Sequence, residues 1–185
     1  MTRLLPIVVL LCLAISGRAD EQTSKHRLIG LSAPERTGDL HKAMASLPDI
    51  KLVSLNADIA EITLGYDWKA LFPNHPAKKP APTAEEIQKR LNEVIGPTCG
   101  HTFSLKSISS VPKDKQTKIE ISIGILDCKA CRFAAYSAIA TLDGVEHASI
   151  EPKTGVLTAW IDATKTSREE LEKALKKARV ELAGK

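Results

Sequence analysis

The sequence predicts an α+β fold of two βαββαβ units in tandem. Three observations predict it. Strand-like and helix-like stretches follow one another in that order twice along the 185 residues. A shift of 95 residues lays Leu47-Pro48-Asp49-Ile50 on Leu142-Asp143-Gly144-Val145, Leu31 on Leu126 and Asp67 on Asp162. Between the two runs, Ser109 to Thr117 carries Ser, Pro and alternating charge, the composition of a linker. The order βαββαβ is that of the ferredoxin-like sandwich, an antiparallel sheet with both helices on one face.

The first unit spans 26–108. His26 to Leu31 reads as a strand, after a polar and flexible stretch from Asp20 to Lys25. Gly38 to Ser46 reads as a helix ended by Leu47-Pro48-Asp49. Two strands follow, Lys51 to Asn56 and Glu61 to Tyr66, the second alternating Ile62, Leu64 and Tyr66. Asp67 to Pro82 holds four prolines and reads as a loop. Thr83-Ala84-Glu85-Glu86 opens a helix, with a capping residue and acids in its first turn. Ile87, Leu91, Val94 and Ile95 form its apolar face, and Gly96-Pro97 is the expected stop. Phe103 to Ile108 would close the sheet.

The second unit spans 118–185 after the linker at 109–117. Lys118 to Ile123 is a strand alternating Ile119, Ile121 and Ile123. Lys129 to Leu142 is a helix stopped by Asp143-Gly144. Val145 to Ile150 and Val156 to Asp162 are strands joined by the turn Glu151 to Gly155. Ser167-Arg168-Glu169-Glu170 caps a helix running from Leu171 to Lys177, matching Thr83-Ala84-Glu85-Glu86 in the first unit. Arg179 to Leu182 is the candidate final strand.

Composition narrows the function. Hydrophobic residues are 43% and charged residues 26%, usual for a folded chain. Aromatics are only 4%, which leaves no stacking platform for single-stranded nucleic acid. Residues 1–19 have the pattern of a signal peptide: Arg3, an apolar run from Leu4 to Ile15, then Gly17-Arg18-Ala19. That run is too short to span a bilayer, and no later segment is long enough, so the mature chain has no expected membrane span. Without Arg3 and Arg18, the 26 Lys and Arg become 24 against 22 acids, which is no footprint for nucleic acid. The expected location is exported, periplasmic or secreted. No Ser/His/Asp set, phosphate loop or paired-carboxylate site is present, so no catalysis is expected.

The chemistry concentrates at Asp127-Cys128-Lys129-Ala130-Cys131. Two thiols three positions apart, where a loop opens into a helix, can close on one soft metal ion or on each other. Thiolates select Cu(I), Zn(II) and similar ions. Two sulfurs suit near-linear Cu(I) or Hg(II), whereas Zn(II) wants four ligands. Asp127 is a candidate third donor and equally a candidate helix cap. A helix N-terminus favours thiolate over thiol. The competing reading is a structural or redox disulfide in an oxidising compartment, or two idle small residues at a helix start.

The second half resembles the heavy-metal-associated domain family. The residues that carry the resemblance are Gly124-Ile125-Leu126-Asp127-Cys128-Lys129-Ala130-Cys131, Ile139, Leu142-Asp143-Gly144-Val145 and Thr154-Gly155. The resemblance implies that Cys128 and Cys131 bind one soft metal ion, as in copper chaperones, the N-terminal modules of metal-pumping ATPases and small mercury-binding proteins. It implies a membrane metal transporter or another metal-binding domain as partner. The sequence departs from the family in having Leu126 where Met is usual and one more residue between Gly124 and Cys128. In the first half, Ala33 and Arg36 stand at the two Cys positions, so that half resembles a degenerate copy without a metal site.

The remaining candidates are weaker. Cys99-Gly100-His101 is read chiefly as a small apolar residue beside a surface histidine, with a ligand pair as the alternative. His26, His41, His75 and His147 have no metal spacing and are expected at the surface. Trp160, between inward-facing Ala159 and Ile161, is expected on the open side of the sheet, against the other unit or a partner.

Overall fold

The structure, a computed structural model, describes residues 21–33 and 35–183. The signal-like segment 1–19 and Pro34 lie outside the described residues. The first unit is β1 (Glu21–Ile29), α1 (Arg36–Ala45), β2 (Ile50–Asn56), β3 (Glu61–Asp67), α2 (Trp68–Leu71), α3 (Ala84–Thr98) and β4 (Ser104–Lys106). Its sheet has the order β2-β3-β1-β4, with every pairing antiparallel. The second unit is β5 (Thr117–Ser122), α4 (Lys129–Ala140), β6 (Val145–Glu151), β7 (Val156–Ile161) and α5 (Arg168–Lys177). Its sheet has the order β5-β7-β6, again antiparallel. The architecture is α+β, two ferredoxin-like units in tandem.

Each unit buries its own core, because each helix turns one apolar stripe onto one face of its sheet. Leu40, Met44, Leu91 and Ile95 from α1 and α3 meet Leu28, Ile62 and Leu64 from the sheet. In the second unit, Tyr136, Ile139, Leu171 and Leu175 meet Ile121, Ile150, Leu157 and Ile161. The strict alternation of β7, with Leu157, Ala159 and Ile161 inward, is the signature of a half-covered sheet.

The equivalence between the units extends to single hydrogen bonds. Asp67 caps α2 by accepting from Lys69 N at 2.9 Å, and Asp162 accepts from Thr164 N at 3.0 Å. Thr83 and Ser167 cap α3 and α5 by accepting from the amides of Glu86 and Glu170. Leu28 N donates to Ala60 O at 2.7 Å, and Ile123 N donates to Gly155 O at 2.9 Å.

Several expectations are corrected. The polar stretch Glu21 to Lys25 is part of β1, held by antiparallel pairing from Glu21↔Asp67 to Arg27↔Glu61. Cross-strand ion pairs, Lys51 with Glu21 at 2.9 Å and Lys25 with Glu61, favour a strand that hydrophobicity alone would not mark. The Pro-rich loop contains the short helix α2. Helix α3 runs through Gly96-Pro97 to Thr98, because Cys99 N and His101 N take the last carbonyls, including Gly96 O at 3.2 and 2.7 Å. The closing strand β4 is three residues long. The linker is ordered in part, with Gln116 Nε2 donating to Val111 O at 3.1 Å. Arg179 to Leu182 is not a strand. Arg179 takes φ +60 at the end of α5, and the tail meets β5 by one hydrogen bond, Ala183 N to Ser122 O at 2.9 Å.

The two units pack against each other. Ile29, from the end of β1, is buried in the second unit's core. Arg27 pairs with Glu146 at 2.8 Å, both about nine-tenths buried (13% and 10% exposed). Ile150 N, on β6, donates to Ser32 O at 2.8 Å.

Candidate functional site

The thiol loop is built between β5 and α4. Gly124, at φ +70, turns the chain out of β5, and Ile125 stands 65% exposed. The loop is held from two sides. The guanidinium of Arg132, on the first turn of α4, donates back to Leu126 O at 2.5 Å and to Asp127 O at 3.1 Å. From the other side comes the β6–β7 turn. A Cβ placed on Gly155 would lie 2.0 Å from Gly124 O and 2.8 Å from Ile125 N. Only glycine permits that approach, and Gly155 also has φ +65.

Cys128 is the N-cap of α4. Its Sγ accepts from Cys131 N at 3.3 Å. This corrects the capping alternative for Asp127: the cap is the thiol itself, and Asp127 supplies only its carbonyl to Arg132. Both cysteines are exposed. The Cys131 thiol donates to the Cys128 sulfur, which lowers the pKa of Cys128 from the ordinary thiol value, with further help from the Cys131 and Ala130 amides. The same bond raises Cys131. The two thiols are therefore unequal, with Cys128 the more readily ionised of the pair.

The loop presents two exposed sulfurs as candidate donors. Among the described residues no three His, Cys, Asp or Glu side chains gather into a metal-sized cluster. Asp127 is exposed beside Cys128. Cys99 is distant in chemistry as well as in chain position. Half-buried against the first unit's core, its Sγ donates to Ile95 O at 3.1 Å and accepts from Phe103 N at 3.4 Å. It closes the end of α3. His101 sits at φ +59 with its ring against Gly96.

Two histidines expected at the surface are not there. His26 is 5% exposed and bonded to Ser24 Oγ at 2.6 Å; burial lowers its pKa. His147 is half-buried, and burial lowers its pKa to about 4. Its ring stacks on Trp160 at 4.9 Å across the β6–β7 pairing. His147 and Trp160 line a cleft of about 450 Å³ between the units, with Arg27, Asp58, Ile108 and Lys113 on its walls. Trp160 thus stands on the open side of its sheet and faces the other unit. A period-2 pattern marks which face a strand residue occupies, but not what will cover that face.

No family model matches the chain. No curated protein matches it either. Among solved structures, the water-soluble region of the P-type ATPase CopA from Bacillus subtilis is similar with a TM-score of 0.34 and 16% identity, over 88% of this chain and 89% of that one. A solution structure of the N-terminal soluble domains of the same CopA gives 0.33 and 16%, over 88% and 92%. At these scores the chemistry of the loop rests on this chain's own atoms.

Proposed function

We propose that the chain is an exported carrier or buffer for one soft metal ion, held by Cys128 and Cys131, without catalysis of its own. The observation that carries the reading is the pair of exposed thiols on one helical turn, with Cys128 capping α4 through the Cys131 amide. The resemblance of the loop, the Leu142-Asp143-Gly144-Val145 corner and the Thr154-Gly155 turn to heavy-metal-associated domains supports it. In this reading the first unit is a degenerate sister in which Ala33 and Arg36 replace the thiols. Two sulfurs without a clustered third donor favour near-linear Cu(I) or Hg(II). Zn(II) would need Asp127 and a further donor from a partner. The partner is a membrane metal transporter or a second metal-binding domain that exchanges the ion thiolate by thiolate. The apolar run from Leu4 to Ile15 after Arg3 supports export.

Titration of the reduced protein with Cu(I) under anaerobic conditions tests this. One ion per chain is expected, lost in Cys128→Ser and Cys131→Ser and retained in Cys99→Ser. No binding by the reduced wild type sinks the proposal. The unequal thiols also fit a second reading, an exported interaction module with a redox-active or structural CxxC disulfide, in which Cys128 attacks and Cys131 resolves. A pair that stays oxidised on isolation and has a strongly oxidising potential would favour that reading.

A further inference from the structure

The first unit has no thiol pair, yet it grips the helix that does. Three contacts run along α4. At its C-terminal end, Lys106 Nζ, from β4, donates to Thr141 O at 3.0 Å and reaches Ala140 O at 3.5 Å, a cation on the negative end of the helix dipole. At its middle, Tyr136 is buried and its hydroxyl accepts from Gly30 N at 3.0 Å. Gly30 is where β1 leaves its sheet at φ +118, with Phe103 and Thr102 O so close that a Cβ would meet them at 2.4 and 2.5 Å.

The third contact is beside the thiols. The guanidinium of Arg36 lies 5.6 Å from the Phe103 ring of the first unit and 5.8 Å from the Phe133 ring of α4. Phe133 follows Cys131 by two residues. Arg36 Nη1 also pairs with Asp39 at 3.1 Å, while its Nε is buried without a partner. Hydrogen bonding does not account for where this side chain sits; the two ring faces do. Arg36 stands 95 residues before Cys131, at the position where the second unit carries its second thiol.

We propose that the first unit is the resident positioning partner of the thiol pair, and that Arg36, wedged between Phe103 and Phe133, is the positioning residue that holds the first turns of α4 and with them the relative placement of Cys128 and Cys131. This rests on the thiol pair being the working site. The helix-start position used for a ligand in one unit is used in the other to hold the helix that carries the ligands. It gives the thiol-less unit a function in the site it lacks.

The test uses the full chain without metal. The dithiol is equilibrated with glutathione, so that dithiol plus oxidised glutathione exchanges with disulfide plus two reduced glutathione, and the two forms are counted after alkylation. Amide hydrogen exchange over α4 is measured alongside. In Arg36→Ala the loosened turn loses the bond from Cys131 N to Cys128 Sγ that favours the dithiol. The equilibrium should move toward disulfide about threefold or more, with faster exchange in residues 129–136. Arg36→Lys, which keeps the charge but not the planar stack, should fall between the two. Phe133→Leu, which removes the other side of the wedge, should reproduce Arg36→Ala and serves if that variant folds poorly. Thr83→Ala, a destabilising change in the first unit far from α4, should leave the equilibrium unmoved. An Arg36→Ala and a Phe133→Leu with wild-type equilibrium and exchange overturn the proposal, as does an equal shift in Thr83→Ala. A chain that binds no soft ion yet shifts on Arg36→Ala loses the metal reading and keeps this one.

Discussion

The loop between the first strand and first helix follows opposite courses in the two units. In the first, Leu31, Ser32 and Ala33 are 5%, 5% and 6% exposed, with Leu31 in the unit's own core and Ser32 O accepting from Ile150 N of the other unit. In the second, Ile125 is 65% exposed and both cysteines face solvent. The two loops leave their strands beside corresponding bonds, from Leu28 N to Ala60 O and from Ile123 N to Gly155 O. Yet Ala60 occupies the left-handed conformation at φ +49, where the second unit has glycine. One frame has made an interface from its first loop and a candidate metal site from the equivalent loop. The difference lies in how closely the neighbouring turn presses on it.

The largest expected effect tests that pressure. In Gly155→Ala the new Cβ meets Gly124 C at 2.2 Å and Gly124 O at 2.0 Å, backbone atoms that cannot swing aside. Strain at φ +65 adds to this, and the loss should reach about 3 kcal/mol or more. The thiol loop should be displaced as well, so the variant should bind a soft ion more weakly even where it stays folded. The reciprocal change, Ala60→Gly, relieves left-handed strain but gives up a buried methyl and adds unfolded-state freedom, so it should stay within about 1 kcal/mol of wild type. Urea unfolding of both variants measures the asymmetry. Equal losses would mean that the turns serve their loops alike.

The second effect concerns the open faces of the sheets. His147 pairs with Trp160 on the open face of its sheet, where the first unit pairs Lys51 with Gly65, so one unit carries an imidazole where the other carries an ammonium. Burial holds His147 near pH 4, against 6.5 for an exposed imidazole. Between those values the unfolded chain binds the extra proton. Stability should therefore fall as pH drops from about 6.5 to about 4, by about 2–3 kcal/mol, and level off below. His147→Leu should flatten most of that slope. His26, also lowered by burial, contributes in the same direction and should leave a smaller residue. Thermal unfolding across this range checks it, and an unchanged slope in His147→Leu would mean that the imidazole is hydrated.

Much of the frame was legible because it is written in local pattern. Alternation marks β3, β5 and β7, and Thr83 and Ser167 announce the helices they cap. The thiol loop was legible for the same reason, since its two donors lie on one turn. What escaped depends on the partner surface. Glu21 to Lys25 is polar, and becomes strand only because β3 pairs with it and Lys51 on β2 and Glu61 on β3 supply opposite charges. His147 reads as a surface residue until Trp160 and the first unit cover it. Arg36 reads as the loss of a thiol, and gains a role only when Phe133 arrives from more than ninety residues away. Asp127 reads as a cap because sulfur is an unusual one, yet Cys128 is one residue nearer the helix.

The smallest effect lies where the units agree most. Thr83 and Ser167 cap equivalent helices, but only Thr83 has a reciprocal partner: its amide donates to Glu86 Oε2 at 2.8 Å while its hydroxyl accepts from Glu86 N at 3.3 Å. Ser167 accepts from Glu170 N at 3.4 Å. Thr83→Ala should cost about 1–2 kcal/mol and Ser167→Ala about half that, because the first change also loosens the returning carboxylate. The bond from the Thr83 amide lowers the pKa of Glu86. Its contribution is present in full above the ordinary carboxylate pKa and is lost as pH falls through the lowered one. The gap between the two variants should therefore narrow in acid and stay constant from neutral pH upward. If it persists in acid, the difference between the helices lies in the hydroxyl bond alone, and the capping box adds nothing to it.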